Sequence, residues 1–240
     1  MSYKKNKTIQ EIIESALAKG QSALSEYQSK AVLKSRGIPV SEEALVHNAD
    51  EAVQAAHRIG YPVALKACAW ELMHKSEKGW MALNLQGDDA VREAFNRIVG
   101  MADLKLEGVL VQEMVPGQRE LVVGLSRDPS FGPCVMLGFG GIMTEVIQDT
   151  VFRMAPIDDI EARDMAEALR TKALLGPFRG QAPARMDTLC RTLVAIGQIG
   201  LEIDAISEID INPLIILPDG RLKAVDALIV LERNRHAQID

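Results

Sequence analysis

Cysteine is scarce: Cys68, Cys134 and Cys190 sit inside apolar stretches of the 240-residue chain with no CxxC or Cys/His spacing. That argues against a disulfide framework and a structural zinc site and leaves buried thiols as the plain reading. Aromatic residues make up only 4% of the chain, and the net charge of −6 comes with no basic stripe. Nucleic acid as a main partner is therefore not expected, since phosphate contacts and base stacking need both features. Local basic residues leave room for a small phosphorylated ligand. Long apolar runs are missing too. Leu214-Ile215-Ile216-Leu217 falls far short of the roughly 18 residues a membrane span needs, and MSYKKNKTIQ has no apolar signal core. No membrane partner and a cytoplasmic location are the expectation. What the chain does have, 48% apolar and 25% charged residues, suffices for one large domain or two lobes around a real core.

Hydrophobic spacing predicts helices from Thr8 to Ala18 and from Ser25 to Ser35, the second stopped by Gly37 and Pro39. Residues 50–59 again have helical spacing, and Gly60-Tyr61-Pro62 turns the chain into a short strand at 63–66 that ends in Lys66. Further on come a strand from Trp80 to Leu85, a helix from Asp88 to Met101, and a strand from Gly108 to Met114 that runs into Val115-Pro116-Gly117. Beyond Arg119 the texture changes to short strands at 120–124, 134–137, 144–147 and 151–154, spaced as antiparallel neighbours are. Two helices, about 159–173 and 186–201, flank the loop LLGPFRGQAPAR, and two strands around Pro218-Asp219-Gly220 close the chain. The pattern reads as α+β: two lobes, 1–113 and 114–240, meeting at a hinge near 114–118 with a cleft between them.

Three constellations carry chemistry. Glu208, Asp210 and Asn212 alternate along the first closing strand and share a face. A turn centred on Asp219 sets Asp226 opposite Asn212, each seven residues from the centre. Oxygen ligands on adjacent strands suit Mg²⁺, which takes one or two protein carboxylates and completes its shell with water and phosphates. The competing reading is a solvated polar strand edge, weakened by the apolar neighbours Ile209, Ile211 and Leu214. Lys66 is either a snorkelling lysine or a phosphate ligand. The run His74-Lys75-Ser76-Glu77-Lys78-Gly79 holds what phosphoryl transfer needs, although a plain surface loop would look the same and the run is no Walker A motif. Gly138-Phe139-Gly140-Gly141 offers backbone amides to phosphate oxygens, or is only a turn. Asp149 and Arg153, four apart, would pair with each other or face a ligand. Glu113 and Glu120 bracket the Pro116-Gly117 turn, where backbone could meet an adenine edge and a carboxylate ribose hydroxyls.

In order along nearly the whole chain, the segments LSEYQSKAVLKSRGIPV, ALKACAWELMHKSEKG, VLVQEMVPGQRELVVGLSRDPSFGP, GFGGIMTEVIQDTVFRMAP, LLGPFRG and EIDINPLIILPDGRLKAVDALIVL resemble the ATP-grasp β subunit of the ADP-forming acyl-CoA synthetases, relatives of succinyl-CoA synthetase. The resemblance implies an ATP-grasp fold, with antiparallel sheets and flanking helices enclosing a nucleotide cleft. It implies an acid–thiol ligase that turns acyl-CoA, ADP and phosphate reversibly into acid, CoA and ATP through phosphohistidine. ATP or ADP and Mg²⁺ would be the bound cofactors. An α subunit with the CoA-binding and phosphohistidine domains would be the partner, in an α2β2 assembly through which acyl-CoA is reached.

Carried over position by position, the resemblance puts Lys66 and Lys75 on the nucleotide phosphates, Glu113 and Val115 at the adenine and Glu120 at the ribose. Asp210, Asn212 and Asp226 would hold Mg²⁺. His74 would relay the phosphoryl group, with Gly140, Gly141, Glu145 and Arg153 beside it. Two departures stand out: Ala69-Trp70 occupies the place of a usual Ser-Pro, and Gly79-Trp80 that of Gly-Gly. Tryptophan does not share glycine's access to positive φ, so the loop is rebuilt or phosphate handling altered. The departures favour a second reading, a nucleotide-sensing ATP-grasp module with impaired catalysis, associated with an acyltransferase. A third, an ATP-grasp ligase joining acid to amine, has no need of the His74-Lys75-Ser76 loop.

Overall fold

The computed structural model describes residues 8–72, 79–141 and 149–232. Two antiparallel sheets divide the chain. In the smaller, β1 (Glu43–Val46), β2 (Val63–Cys68), β3 (Met81–Leu85) and β4 (Gly108–Glu113) run in the order β1-β4-β2-β3. Two helices, α3 (Ala49–Ile59) and α4 (Asp88–Met101), cover one face of it. Ala52, Ala56, Val91, Phe95 and Ile98 from the helices pack there against Val63, Leu65, Val109 and Val111. The odd-numbered residues of β2 thus point into this core, which turns Ala64 and Lys66 to the other face.

The larger sheet orders its strands β10-β8-β5-β6-β7, with β9 also on β8. These are β5 (Arg119–Asp128), β6 (Gly132–Phe139), β7 (Thr150–Met154), β8 (Ile206–Ile216), β9 (Leu222–Ala224) and β10 (Leu228–Leu231). Two further helices, α5 (Asp159–Ala168) and α6 (Met186–Glu202), lie on its inner face. The leading helices α1 (Ile9–Ala18) and α2 (Glu26–Ser35), each opened by a capping box at Thr8 and Ser25, also join it. Ile13, Ala16, Val32 and Leu33 are buried in the core of the larger sheet. The leading helices therefore go with the second sheet, not with the first lobe where sequence order had put them: their apolar stripes match the Ile and Leu faces of β8 and β10.

Most expected elements are present within a residue or two, and every described strand ladder is antiparallel. The helix expected over 159–173 stops at Ala168 and gives way to a tight turn at Lys172–Leu175. Asp149 is the cause. Its carboxylate accepts from Arg170 N at 3.0 Å, from Thr171 N at 2.8 Å and from the Thr171 hydroxyl, drawing those amides out of the helix. Asp149 is thereby committed to the loop and not to Arg153. The expected strand at 144–147 lies outside the described residues. Trp80 is not among the residues with positive φ; its carbonyl accepts from Ala67 N at 2.8 Å in line with the β2–β3 ladder. A tryptophan at this position therefore introduces no backbone strain. Among the described residues no helix is long and apolar enough to cross a membrane.

Candidate functional site

The closing hairpin keeps the register expected from the sequence, by an unexpected route. The returning chain forms two strands, not one: β9 pairs Leu214 with Ala224 and Ile216 with Leu222, while β10 pairs Asp210 with Leu228 and Glu208 with Val230. In each pair the residue numbers sum to 438, so the same register holds on both sides of the gap. It puts Asp226 opposite Asn212, and Val225 N donates to Pro213 O at 3.0 Å between the two ladders. Along β8, Ile209 and Ile211 are buried while Glu208, Asp210 and Asn212 are not. Asp210 and Asn212 therefore face away from the helices, toward the smaller sheet's free side.

Lys66 comes to meet them. Its Nζ lies 2.9 Å from Glu26 Oε1 and 3.6 Å from Asp226 Oδ2. Burial opposes charge on Lys66, but the carboxylates of Glu26 and Asp226 outweigh it and hold the ammonium above its ordinary range. Glu26 shows the converse: burial raises it, and Lys66 and Lys30 more than compensate, so it stays ionised below the usual carboxylate range. At Asp226, burial and the nearby Glu26 push the carboxyl up against the pull of Lys66.

Sequence reasoning missed the rest of this cluster. Lys30 is 1% exposed. Its Nζ meets Glu26 Oε1 at 2.6 Å, Glu43 Oε2 at 2.7 Å, and Ser41 Oγ and Gln112 Oε1 at 3.3 Å each. Gln112 in turn donates to Val225 O at 3.0 Å, beside Asp226. The only signal in the sequence was the Glu26–Lys30 spacing of four on a helix, which most often marks a solvated pair.

The hinge is tied down on both flanks. Glu113 Oε1 accepts from Lys223 Nζ of β9 at 2.6 Å and from Glu42 N at 2.6 Å, and Val115 follows in the partly buried loop. Gly117 allows the closest approach, since a Cβ there would lie 2.3 Å from Ile215 Cγ2. Past the hinge, Glu120 accepts at its carbonyl from Gly140 N at 2.7 Å. Gly141, at φ +70, would bring a Cβ within 3.3 Å of Glu120 Oε2. Glu120 and Gly140 line a cleft of about 210 Å³ whose far wall is Leu174, Phe178, Arg179 and Gln181. That wall is held by Arg119, 3% exposed, which donates to the carbonyls of Leu174 at 3.1 Å, Gly176 at 3.0 Å and Ala182 at 2.7 Å. The sequence contained no sign of this role for Arg119.

Glu120, Val122 and Gly124 alternate on β5, and Gly124 pairs with Asp210. Glu120 at the cleft and Asp210 thus share one face, roughly 13 Å apart along the strand. Arg153 does not join them. It pairs with Val135, which is buried in the helix-covered core, so it starts from the opposite face at the sheet's edge, and its Nη1 donates to Phe152 O at 2.9 Å. His74, Lys75 and Glu145 lie outside the described residues. Among the described residues no three His, Cys, Asp or Glu side chains cluster as a complete metal cage. Asp210 and Asn212 share a face of β8, and oxygen donors of this kind are ones that Mg²⁺ accepts.

An ATP-grasp domain model matches residues 15–231. The chain is 40% identical over 226 residues to the acetate–CoA ligase (ADP-forming) I subunit beta of Pyrococcus furiosus, covering 92% of this chain and 97% of that one. It is 37% identical to acetate–CoA ligase (ADP-forming) I of Archaeoglobus fulgidus, where 92% of this chain matches 33% of the longer protein. Among solved structures it superposes on an acetyl-coenzyme A synthetase 1 of Ca. Korarchaeum cryptofilum with TM-score 0.82 and 37% identity, covering 94% of this chain and 100% of that one. That structure holds coenzyme A and Mg-AMPPCP, with a phosphohistidine segment pointing towards the nucleotide-binding site. With its two antiparallel sheets, this chain is an ATP-grasp protein and belongs to the family of β subunits of ADP-forming acetate–CoA ligases.

Proposed function

We propose that this chain is the nucleotide-handling subunit of an ADP-forming acyl-CoA synthetase, acting with an α subunit that supplies the CoA site and the mobile phosphohistidine. The two form an α2β2 assembly in the cytoplasm. The net reaction converts acyl-CoA, ADP and phosphate to acid, CoA and ATP, and reverses. The observation that carries the reading is the single sheet face shared by Glu120, Asp210 and Asn212, with Asp226 in register and Lys66 arriving from the other sheet.

On this reading the hinge at Glu113 and Val115 meets the adenine and Glu120 the ribose hydroxyls. The amides of Gly140 and Gly141, with Lys66 and Lys75, face the phosphates. Glu145 and Arg153 stand near the transferred group, Arg153 reaching it around the edge of β7. Asp210, Asn212 and Asp226 fit Mg²⁺, which when bound supplies charge neutralisation for the phosphate oxygens. In the ATP-forming direction His74 accepts the phosphoryl group from the partner's histidine; its own P–N bond then breaks as an ADP oxygen forms the new P–O bond. The sheltered position of Lys66 keeps a positive charge at the phosphates without the cost of desolvating it anew. A nucleotide sensor is the weaker reading, since the relatives are named ligases.

Incubation of the full chain with γ-labelled ATP, Mg²⁺ and the α partner tests this reading. Acid-labile label that disappears in His74→Ala, while ATP binding persists, supports the relay. ATP binding without label in the native complex would favour the sensor.

A further inference from the structure

Lys66 has two carboxylates within reach, and they have opposite uses. Asp226 belongs to the oxygen set opposite Asn212. Glu26 comes from α2, outside both sheets, and is locked in turn by Lys30. Lys30 is closed in by Glu26, Glu43, Ser41 and Gln112, so it has no freedom to reach the cleft. Glu26 Oε1 accepts from both lysines, at 2.6 Å from Lys30 and 2.9 Å from Lys66, while Asp226 stays at 3.6 Å from Lys66. With all five groups ionised the cluster holds three negative and two positive charges. Without Glu26, the ion pair left to Lys66 among the described residues is the one with Asp226.

We infer that Glu26 is a positioning residue for the nucleotide site: it holds the Lys66 ammonium off Asp226, keeping the lysine aimed at phosphate and the Asp226 carboxylate open to the metal. The inference rests on the nucleotide reading of Lys66 and Asp226 and adds a role for the leading helix, which no strand of either sheet supplies. The i,i+4 pair Glu26–Lys30 is thus a bracket: Lys30 anchors the carboxylate, and the carboxylate anchors the working lysine.

Calorimetric titration of the full chain with ATP, with and without Mg²⁺, tests the role in a double-mutant cycle. Glu26→Gln is expected to raise the Kd for Mg-ATP about tenfold, the size of one lost charge-assisted contact. In a Lys66→Met background the same substitution should change Kd by less than about twofold, because the residue through which it acts is gone. A general weakening of the fold would lower binding in both backgrounds alike. Thermal melts accompany each variant, and should Glu26→Gln fail to fold, Glu26→Asp, with the charge kept on a shorter arm, is expected to show the same dependence on Lys66. Equal losses in the two backgrounds, or an unchanged or lowered Kd for Glu26→Gln, would overturn the positioning role and leave the nucleotide reading standing. A native chain that binds no ATP, or a Lys66→Met variant that binds as the native chain does, would overturn both.

Discussion

Two buried cations, Lys30 and Arg119, are solvated by the protein in opposite ways. Lys30 sits among two carboxylates, a hydroxyl and an amide oxygen, where the smaller sheet, α2 and the 225–226 turn converge. Arg119 sits among three backbone carbonyls of the 174–182 loop, and burial alone lowers its affinity for a proton. The ammonium joins α2 to the smaller sheet by charge, so what it stabilises depends on the ionisation of its neighbours. The guanidinium, a rigid fork with five donors, shapes one loop through neutral acceptors. The first arrangement makes the position of Lys66, through Glu26, answerable to electrostatics, while the second makes the wall of the cleft insensitive to them.

Breaking the charged seam should cost most. Lys30→Met leaves Glu43 buried without its cation and Glu26 with Lys66 alone, and stability measured by urea unfolding is expected to fall by about 3–5 kcal/mol. Arg119→Met strands three carbonyls in a loop that can partly open to water, so a smaller loss of about 2–3 kcal/mol is expected. Hydrogen exchange should accelerate mainly over 174–182 in that variant, whereas Lys30→Met should loosen α2 and the smaller sheet. Arg119→Lys should recover only part of the loss, because one ammonium cannot span three carbonyls set by a planar fork.

The acid limb sharpens the contrast further. Glu26 has a folded pKa below its unfolded value, so its contribution is present above pH 4.5 and disappears as pH falls through the lower, folded value. The stability difference between the native chain and Glu26→Gln should therefore shrink in urea titrations taken from pH 6 down to pH 3. Arg119 variants should show no such trend. At the alkaline end Lys66 behaves in the opposite sense. Its folded pKa is raised, so its stabilisation is complete below pH 10.5 and is lost as pH rises through the folded value, an effect Lys66→Met should abolish. This is the smallest of the expected effects, since a deprotonated lysine keeps its packing and one hydrogen bond.

The seam also shows where legibility stops. The register of the closing hairpin followed from counting seven residues either side of Asp219, because antiparallel pairing makes residue numbers add to a constant. That the returning chain breaks into β9 and β10 did not follow, since the break depends on how Val225 and Asp226 meet α2 and Gln112. The hinge at 114–118 announced itself through Pro116-Gly117. The strand β1 did not, because EALV is as good a helix segment as a strand and is fixed only by pairing with β4. Arg153 starts from the helix-covered face of the larger sheet, opposite Val135, a placement that alternation along β7 left unreadable without the register.

What the sequence determined by itself was local and periodic: helix starts with their caps, alternation along β8, the hinge, the register of the hairpin, and an ordered set of segments specific enough to name a family. What only the tertiary structure decided was which charges face one another across elements far apart in sequence. Glu26 and Lys66 are 40 residues apart and Gln112 and Val225 are 113 apart. No spacing rule reaches that far, because such contacts are set by how two sheets and a helix pack. Burial then turns an ordinary Glu–Lys pair into a closed cluster of four acceptors around Lys30.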